Sequence, residues 1–91
     1  MNNFIQEQNR IYQMNDNNDV IAEVTFPAIS DNVVNVNHTF VDDSLRGQGI
    51  AGKLMEATVA TLREQNKKAQ LTCTYAITWF EKHPENADVV A

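Results

Sequence analysis

All three glycines of this chain, Gly47, Gly49 and Gly52, sit in one short stretch, and no other part of the sequence has any. They lie between an alternating, strand-like segment that ends near Val41 and a segment with helical spacing that begins near Gly49. A strand that turns through glycines into a helix leaves the first helical N–H groups unpaired and converging on one spot, where the macrodipole adds about half a positive charge. That place suits an anion. A side chain at Gly47 or Gly49 would block a phosphate or forbid the backbone angles of the turn. The plainer alternative is that Gly47 and Gly49 only shape a tight turn and that Gly52 only lets the helix lie close to a sheet. No Gly-Lys-[Ser/Thr] follows, so the loop is not a P-loop, and the strands before it do not form the parallel pair of a dinucleotide fold.

Three further side chains have the right types for catalysis. Cys73, the one cysteine, is either a nucleophile or a small inert core residue. The Tyr75 hydroxyl is either a proton donor or the polar tip of a half-buried ring. His38, placed by alternation on the apolar face of its strand, is either a base titrating near neutrality or a hydrogen-bonded core residue.

The elements that must position these groups follow from periodicity. Phe4, Ile5, Ile11 and Tyr12 suggest a first strand within Ile5 to Met14, and Asn15-Asp16-Asn17-Asn18 suits a hairpin turn. Val20, Ala22, Val24 and Phe26 alternate with polar neighbours as a second strand, and after Pro27 and Ser30-Asp31-Asn32 a third places Val34, Val36, His38 and Phe40 on one face. This antiparallel meander of three strands needs a helix across its apolar face. From about Gly49 to Lys67 the sequence supplies one, with Ile50, Ala51, Leu54, Met55, Thr58, Val59 and Leu62 on a single stripe and cations in its last turn. Ala69 to Thr74 predicts a fourth strand. Tyr75 to Lys82 predicts a short C-terminal helix carrying Ile77, Trp79 and Phe80, stopped by His83-Pro84. The fold class expected is α+β.

Composition narrows the field. Ninety-one residues suit one domain, 1–91, with one modest core. A hydrophobic content of 43% with 21% charged residues is a globular balance. The net charge of −5, without a basic stripe, argues against nucleic acid. His38 and His83 stand alone, so no zinc-like cluster exists and no metal is expected. Neither a membrane span nor a signal peptide is legible, including at Met1 to Phe4, so a cytoplasmic location is expected.

Arg46-x-x-Gly49-x-Ala51 fits the pattern [Gln/Arg]-x-x-Gly-x-[Gly/Ala] of the pyrophosphate loop in the GNAT N-acetyltransferase superfamily. Together with His38-Thr39-Phe40-Val41, Leu45 to Leu54, Cys73-Thr74-Tyr75 and Glu81-Lys82-His83-Pro84-Glu85, the chain resembles the very small single-domain branch of that superfamily. It departs at Asp42 or Asp43 and at Leu71-Thr72, where the family tends to have proline. The resemblance implies an acyl-CoA-dependent N-acetyltransferase, with acetyl-CoA as donor and cosubstrate and an amine, small or on a protein or peptide, as acceptor. It implies that Arg46, Gly47, Gln48, Gly49, Ile50, Ala51 and Gly52 cradle the pyrophosphate mostly through backbone N–H groups. Thr39, Phe40 and Val41 would line the pantetheine arm with main-chain bonds, N–H groups near Phe40 and Val41 serving the developing oxyanion. The acceptor amine would attack the thioester directly, with Tyr75 as acid toward the departing thiolate. Cys73 would be an acyl-carrying nucleophile or an edge of the acyl pocket. Other readings are a non-catalytic acyl-CoA-binding module and a small protein-interaction module with a purely structural glycine loop.

Overall fold

A computed structural model of the chain describes residues 4–91; Met1, Asn2 and Asn3 lie outside the described residues. The architecture is α+β, as expected, but the strands divide differently. Ile5 to Met14 is not one strand. It is a hairpin of β1 (Ile5–Glu7) and β2 (Arg10–Met14). Its turn has neither Gly nor Pro and is held by a neighbour, since Asn9 Nδ2 donates to Phe26 O at 2.9 Å while Phe26 N–H donates to Asn9 O at 2.9 Å. The next turn forms where the Asn run predicts it. Asn15 Oδ1 accepts from the amides of Asn17 (2.9 Å) and Asp19 (3.0 Å), and Asn18 adopts φ 65°, a left-handed angle that Asn tolerates.

Strand β3 (Val20–Thr25) pairs antiparallel with β2 and buries Ala22 and Val24, with Phe26 following them into the core. The third alternation breaks at Asn37 into β4 (Val33–Val36) and β5 (His38–Val41). Asn35 N–H bonds Pro27 O and His38 pairs with Thr25, so one strand advances three residues while the other advances two. The extra residue is a bulge, and it reverses the in-out parity beyond it. Val34 and Val36 are therefore buried, whereas His38 and Phe40 face solvent and Thr39 and Val41 turn inward. The expectation that His38 and Phe40 share the apolar face of Val34 and Val36 is corrected.

The same bulge separates two sheets. One is antiparallel, in the order β1-β2-β3-β5; the other pairs β4 in parallel with β6 (Lys68–Leu71), aligning Val34 with Ala69 and Val36 with Leu71. Beyond Asn37, β5 stays with β3 and leaves β6.

Helix α1 (Ile50–Gln65) closes the core with Ile50, Leu54, Met55, Thr58, Val59, Thr61 and Leu62 buried. Thr58 hides its hydroxyl by donating to Leu54 O at 2.8 Å. Asn66 ends the helix at φ 59°, with Lys67 N–H bonding Leu62 O at 2.9 Å. Helix α2 (Thr74–Lys82) buries Ala76, Trp79 and Phe80 and leaves Ile77 exposed. His83-Pro84 ends it as predicted.

A closing segment was not legible. Pro84–Val89 forms a 3-10 turn that buries Val89, and Ala91 N–H then bonds Ala69 O at 2.8 Å, beside β6. Arg63 straps this segment to α1 with a two-pronged bond to Asp88 (Nε–Oδ2 3.0 Å, Nη2–Oδ1 2.7 Å). Burial lowers the basicity of Arg63 slightly, but its bond to Asp88, the largest influence, raises it; the same bond holds the Asp88 carboxyl below its usual range.

Candidate functional site

The glycine loop starts from a 3-10 turn at Asp43–Leu45 that Asp42 caps, its Oδ2 accepting from Ser44 N–H at 2.9 Å. The Ser44 hydroxyl and amide hold the Asp42 carboxyl below its ordinary value. Asp42 thus rigidifies a place where the superfamily tends to use proline. Gly47 (φ 84°) and Gly49 (φ 69°) both take left-handed angles, and Gly49 is the residue preceding α1. No atom lies within 4 Å of where a Cβ would stand on either, so the glycines are needed for backbone angle and their outer sides open on space. The first intrahelical donor is Lys53, whose N–H reaches Gly49 O at 3.1 Å. The amides of Ile50, Ala51 and Gly52 precede it and find no partner within the helix. They form the donor array at the start of a sixteen-residue helix. Arg46 lies on the surface beside it, its Nη2 2.9 Å from Asp43 Oδ1.

Gly52 faces α2 and not a sheet. A Cβ there would stand 3.5 Å from Trp79 Nε1 and 3.8 Å from the Tyr75 oxygen, so α2 lies over the first turn of α1 at a distance that leaves room for a methyl group. Those distances are ordinary contacts and the backbone is helical. Gly52→Ala is therefore expected to raise stability by about 0.5–1 kcal/mol in chemical denaturation, by reducing the entropy of the unfolded chain.

Next to this helix start lies the gap where β5 leaves β6. Antiparallel pairs bond at alternate residues, and Asp42 N–H donates to Ile21 O at 2.8 Å. In the same phase Phe40 and His38 bond β3, so the main-chain groups of Thr39 and Val41 point into the gap. Of the two N–H groups expected to meet an oxyanion, that of Val41 faces the gap and that of Phe40 is turned to β3.

Cys73 stands at the apex. Val36 O accepts both Thr72 N–H and Cys73 N–H at 3.1 Å, which anchors the backbone, and Sγ lies 3.5 Å from Thr39 Oγ1 across the gap. Cys73 also precedes α2, its carbonyl accepting the Ile77 N–H at 3.0 Å. Partial burial pushes the thiol up, but the Thr39 hydroxyl and the amides of Ala76, Tyr75 and Thr39 outweigh it and hold the thiol below its ordinary value. No full capping bond to sulfur forms, so the α2 amides act as oriented dipoles. Tyr75, half-exposed, is pushed up first by burial and then by the charge of Cys73, and stays a donor at neutral pH.

The structure brings Thr39 to Cys73 and Tyr75 to Gly52, while within the glycine loop the Gln48 amide is taken by Leu45 O at 3.2 Å. It leaves out His38. Consecutive strand residues point to opposite faces, so His38 lies on the face away from Thr39 and Cys73, with Nε2 3.7 Å from Glu23 Oε1. A base at His38 would therefore work from the outer face of the sheet, where the Phe40 ring also lies. The contact between the Thr39 hydroxyl and the Cys73 thiol was not legible, because alternation reports which face a residue occupies and not which atom reaches a neighbour.

Two clefts of ≈ 200 and ≈ 250 Å³ flank Arg63 near the far end of α1, and neither touches the loop. Among the described residues no cluster of three or more His, Cys, Asp or Glu could hold a metal ion. Among them, no helix is long and apolar enough to cross a membrane.

A family model described as GCN5-related N-acetyl-transferase matches residues 11–89. Protein NATD1 of Gallus gallus is 33% identical over 63 residues, which are 69% of this chain and 57% of that protein; Protein NATD1 of Homo sapiens gives 33%, 69% and 56%. The chain thus spans a little over half the length of the curated relatives it matches. Among solved structures, a GCN5-like protein of Staphylococcus aureus aligns with TM-score 0.81 and 36% identity over 97% of this chain and 86% of that one. A GNAT family N-acetyltransferase of Escherichia coli, solved in complex with CoA, aligns with TM-score 0.55 and 25% identity over 64% of this chain and 35% of that one. With the family model covering nearly all of the folded core and a full-length structural match at this identity, the chain belongs to the GCN5-related N-acetyltransferase family.

Proposed function

We propose that this chain, as one domain, is an N-acetyltransferase that takes acetyl-CoA as donor and an amine as acceptor. The observation that carries the reading is the opening between β5 and β6 directly beside the unpaired amides of α1. Such a place offers dipoles to a pyrophosphate and, a few residues away, strand-type main-chain bonds to an amide-bearing arm. Family membership supports the same ligand, since the Escherichia coli relative was solved with CoA. The amides of Gly47 and of Gly49 to Gly52 would hold the pyrophosphate, while the Gln48 N–H stays with Leu45 O. Arg46 adds field, reduced by its pairing with Asp43. Thr39 and Val41 line the arm, and the Val41 N–H meets the developing oxyanion. The amine attacks the thioester carbon as the C–S bond breaks, Tyr75 supplies a proton to the departing thiolate, and the proton lost by the amine returns to the tyrosinate through solvent.

A second route is favoured by one observation, the position and lowered pKa of Cys73. Its thiolate would form a bond to the acyl carbon as the CoA sulfur leaves, and the amine would then take the acyl group from Cys73.

Calorimetry with acetyl-CoA is expected to show one-site binding in the micromolar to low millimolar range. Thiol release is expected once an amine from a panel of polyamines, small amines and peptide N-termini is added. No heat at millimolar acetyl-CoA would sink the reading, and binding without thiol release across the panel would reduce the domain to an acyl-CoA-binding module.

A further inference from the structure

Trp79 is the chain's single tryptophan and is 6% exposed. Its ring is well covered, with Phe80 edge-on at 5.0 Å and His83 stacked at 4.1 Å between centroids. The nitrogen edge is not. Among the described residues the indole N–H makes no hydrogen bond, and Nε1 is not one of the side-chain atoms sealed from solvent without a partner, where Gln13 Oε1 appears instead. A buried indole normally gives its one donor to a partner, and this N–H, reaching the surface from an otherwise covered ring, is free to donate to an acceptor from outside the chain.

Gly52 marks where the nitrogen lies. A Cβ on that glycine would be 3.5 Å from Nε1. Helical Cα–Cβ bonds lean toward the N-terminus, and Gly52 is the third residue of α1, so an atom against that missing Cβ stands beside the first turn. Nε1 is therefore level with the unpaired amides of Ile50, Ala51 and Gly52. We propose that Trp79 is a side-chain ligand of the anion at this helix start, its Nε1–H donating to a pyrophosphate oxygen of the acyl-CoA. The inference rests on the reading of that anion given above. Gly52 then keeps the donor uncovered. His83 fixes the plane of the indole, since its Nδ1 lies 2.7 Å from Trp79 O, an acceptor, and so carries the proton while the ring stacks behind.

The single indole gives one side-chain peak in a proton–nitrogen correlation spectrum. Coenzyme A is expected to shift that peak together with the Gly47–Gly52 amides and to slow its solvent exchange about tenfold or more. ADP, which carries the pyrophosphate without the pantetheine arm, is expected to do the same at higher concentration. Trp79→Phe keeps an aromatic ring but loses the N–H, and is expected to weaken coenzyme A binding about 5- to 30-fold. Loop amides that shift beside a motionless indole, or a folded Trp79→Phe with wild-type affinity, overturn the inference and leave the proposed function standing. An indole that moves with coenzyme A but not with ADP, while the loop amides move with both, overturns phosphate as its acceptor. Loop amides that stay still at millimolar coenzyme A overturn both readings.

Discussion

Gly49→Val is expected to weaken acetyl-CoA binding by about 100-fold, the size of losing two hydrogen bonds to a charged group at roughly 1.5 kcal/mol each. The reason is the backbone. Gly49 sits at φ 69°, where a β-branched residue is strained, and relief of the strain turns the amides of Ile50 and Ala51 away from their common focus. Strain of this kind costs about 1–3 kcal/mol, against a total stability of about 5–15 kcal/mol for a typical domain, so circular dichroism should still report a fold. Gly49→Asn separates the two effects. Asparagine accepts the left-handed angle, and its side chain meets open space in the free protein. It should restore stability while still obstructing a phosphate. Calorimetry on both variants decides the matter, and a folded Gly49→Val protein with affinity within about threefold of wild type would place the anion elsewhere.

Cys73 gives the second large effect. If the acyl group passes through this thiol, brief exposure to acetyl-CoA without acceptor should add one acetyl group to the chain by intact mass, and Cys73→Ala should show none. Full turnover by Cys73→Ala would leave direct attack by the amine as the route. The thiol also predicts a pH profile. Because Thr39 and the nearby amides favour the thiolate, alkylation by iodoacetamide should reach half its maximal rate at lower pH in the folded chain than in the unfolded one. Thr39→Val should move that midpoint up, and Thr39→Ser should bring it back. The sign for stability follows. A folded-state pKa below the unfolded value adds stability that is complete above the unfolded thiol pKa and is lost as pH falls through the folded one.

How much of this is written in the sequence differs from element to element. The glycine loop is, because Gly47 and Gly49 occupy angles that almost demand their type. So is β3, where Val20 to Phe26 alternate without interruption, and α1, whose stripe from Ile50 to Leu62 is nearly the buried set. Asn37 is the instructive failure. Val34, Val36, His38 and Phe40 alternate as smoothly across the bulge as they would without it, and only the pairing with β3 shows the inserted residue. The hairpin turn before Arg10 fails for a related reason, since Phe26 holds it from another strand. Trp79 is buried on the helix that the sequence predicts, yet periodicity carries no information about which edge of a buried ring stays uncovered.

One inserted residue therefore decides more than the direction of His38. By ending the pairing with β6 at Val36 it leaves β5 with no strand on that side among the described residues, so the main-chain groups of Val41 and the carbonyl of Thr39 face the gap while the Thr39 amide turns to the Cys73 thiol. A bound pantetheine arm would act as the absent strand of the sheet. In that sense the fold is one rung short by its own register, and a ligand bound there would complete the hydrogen bonding that folding leaves undone, so occupancy and stability would rise together by mass action.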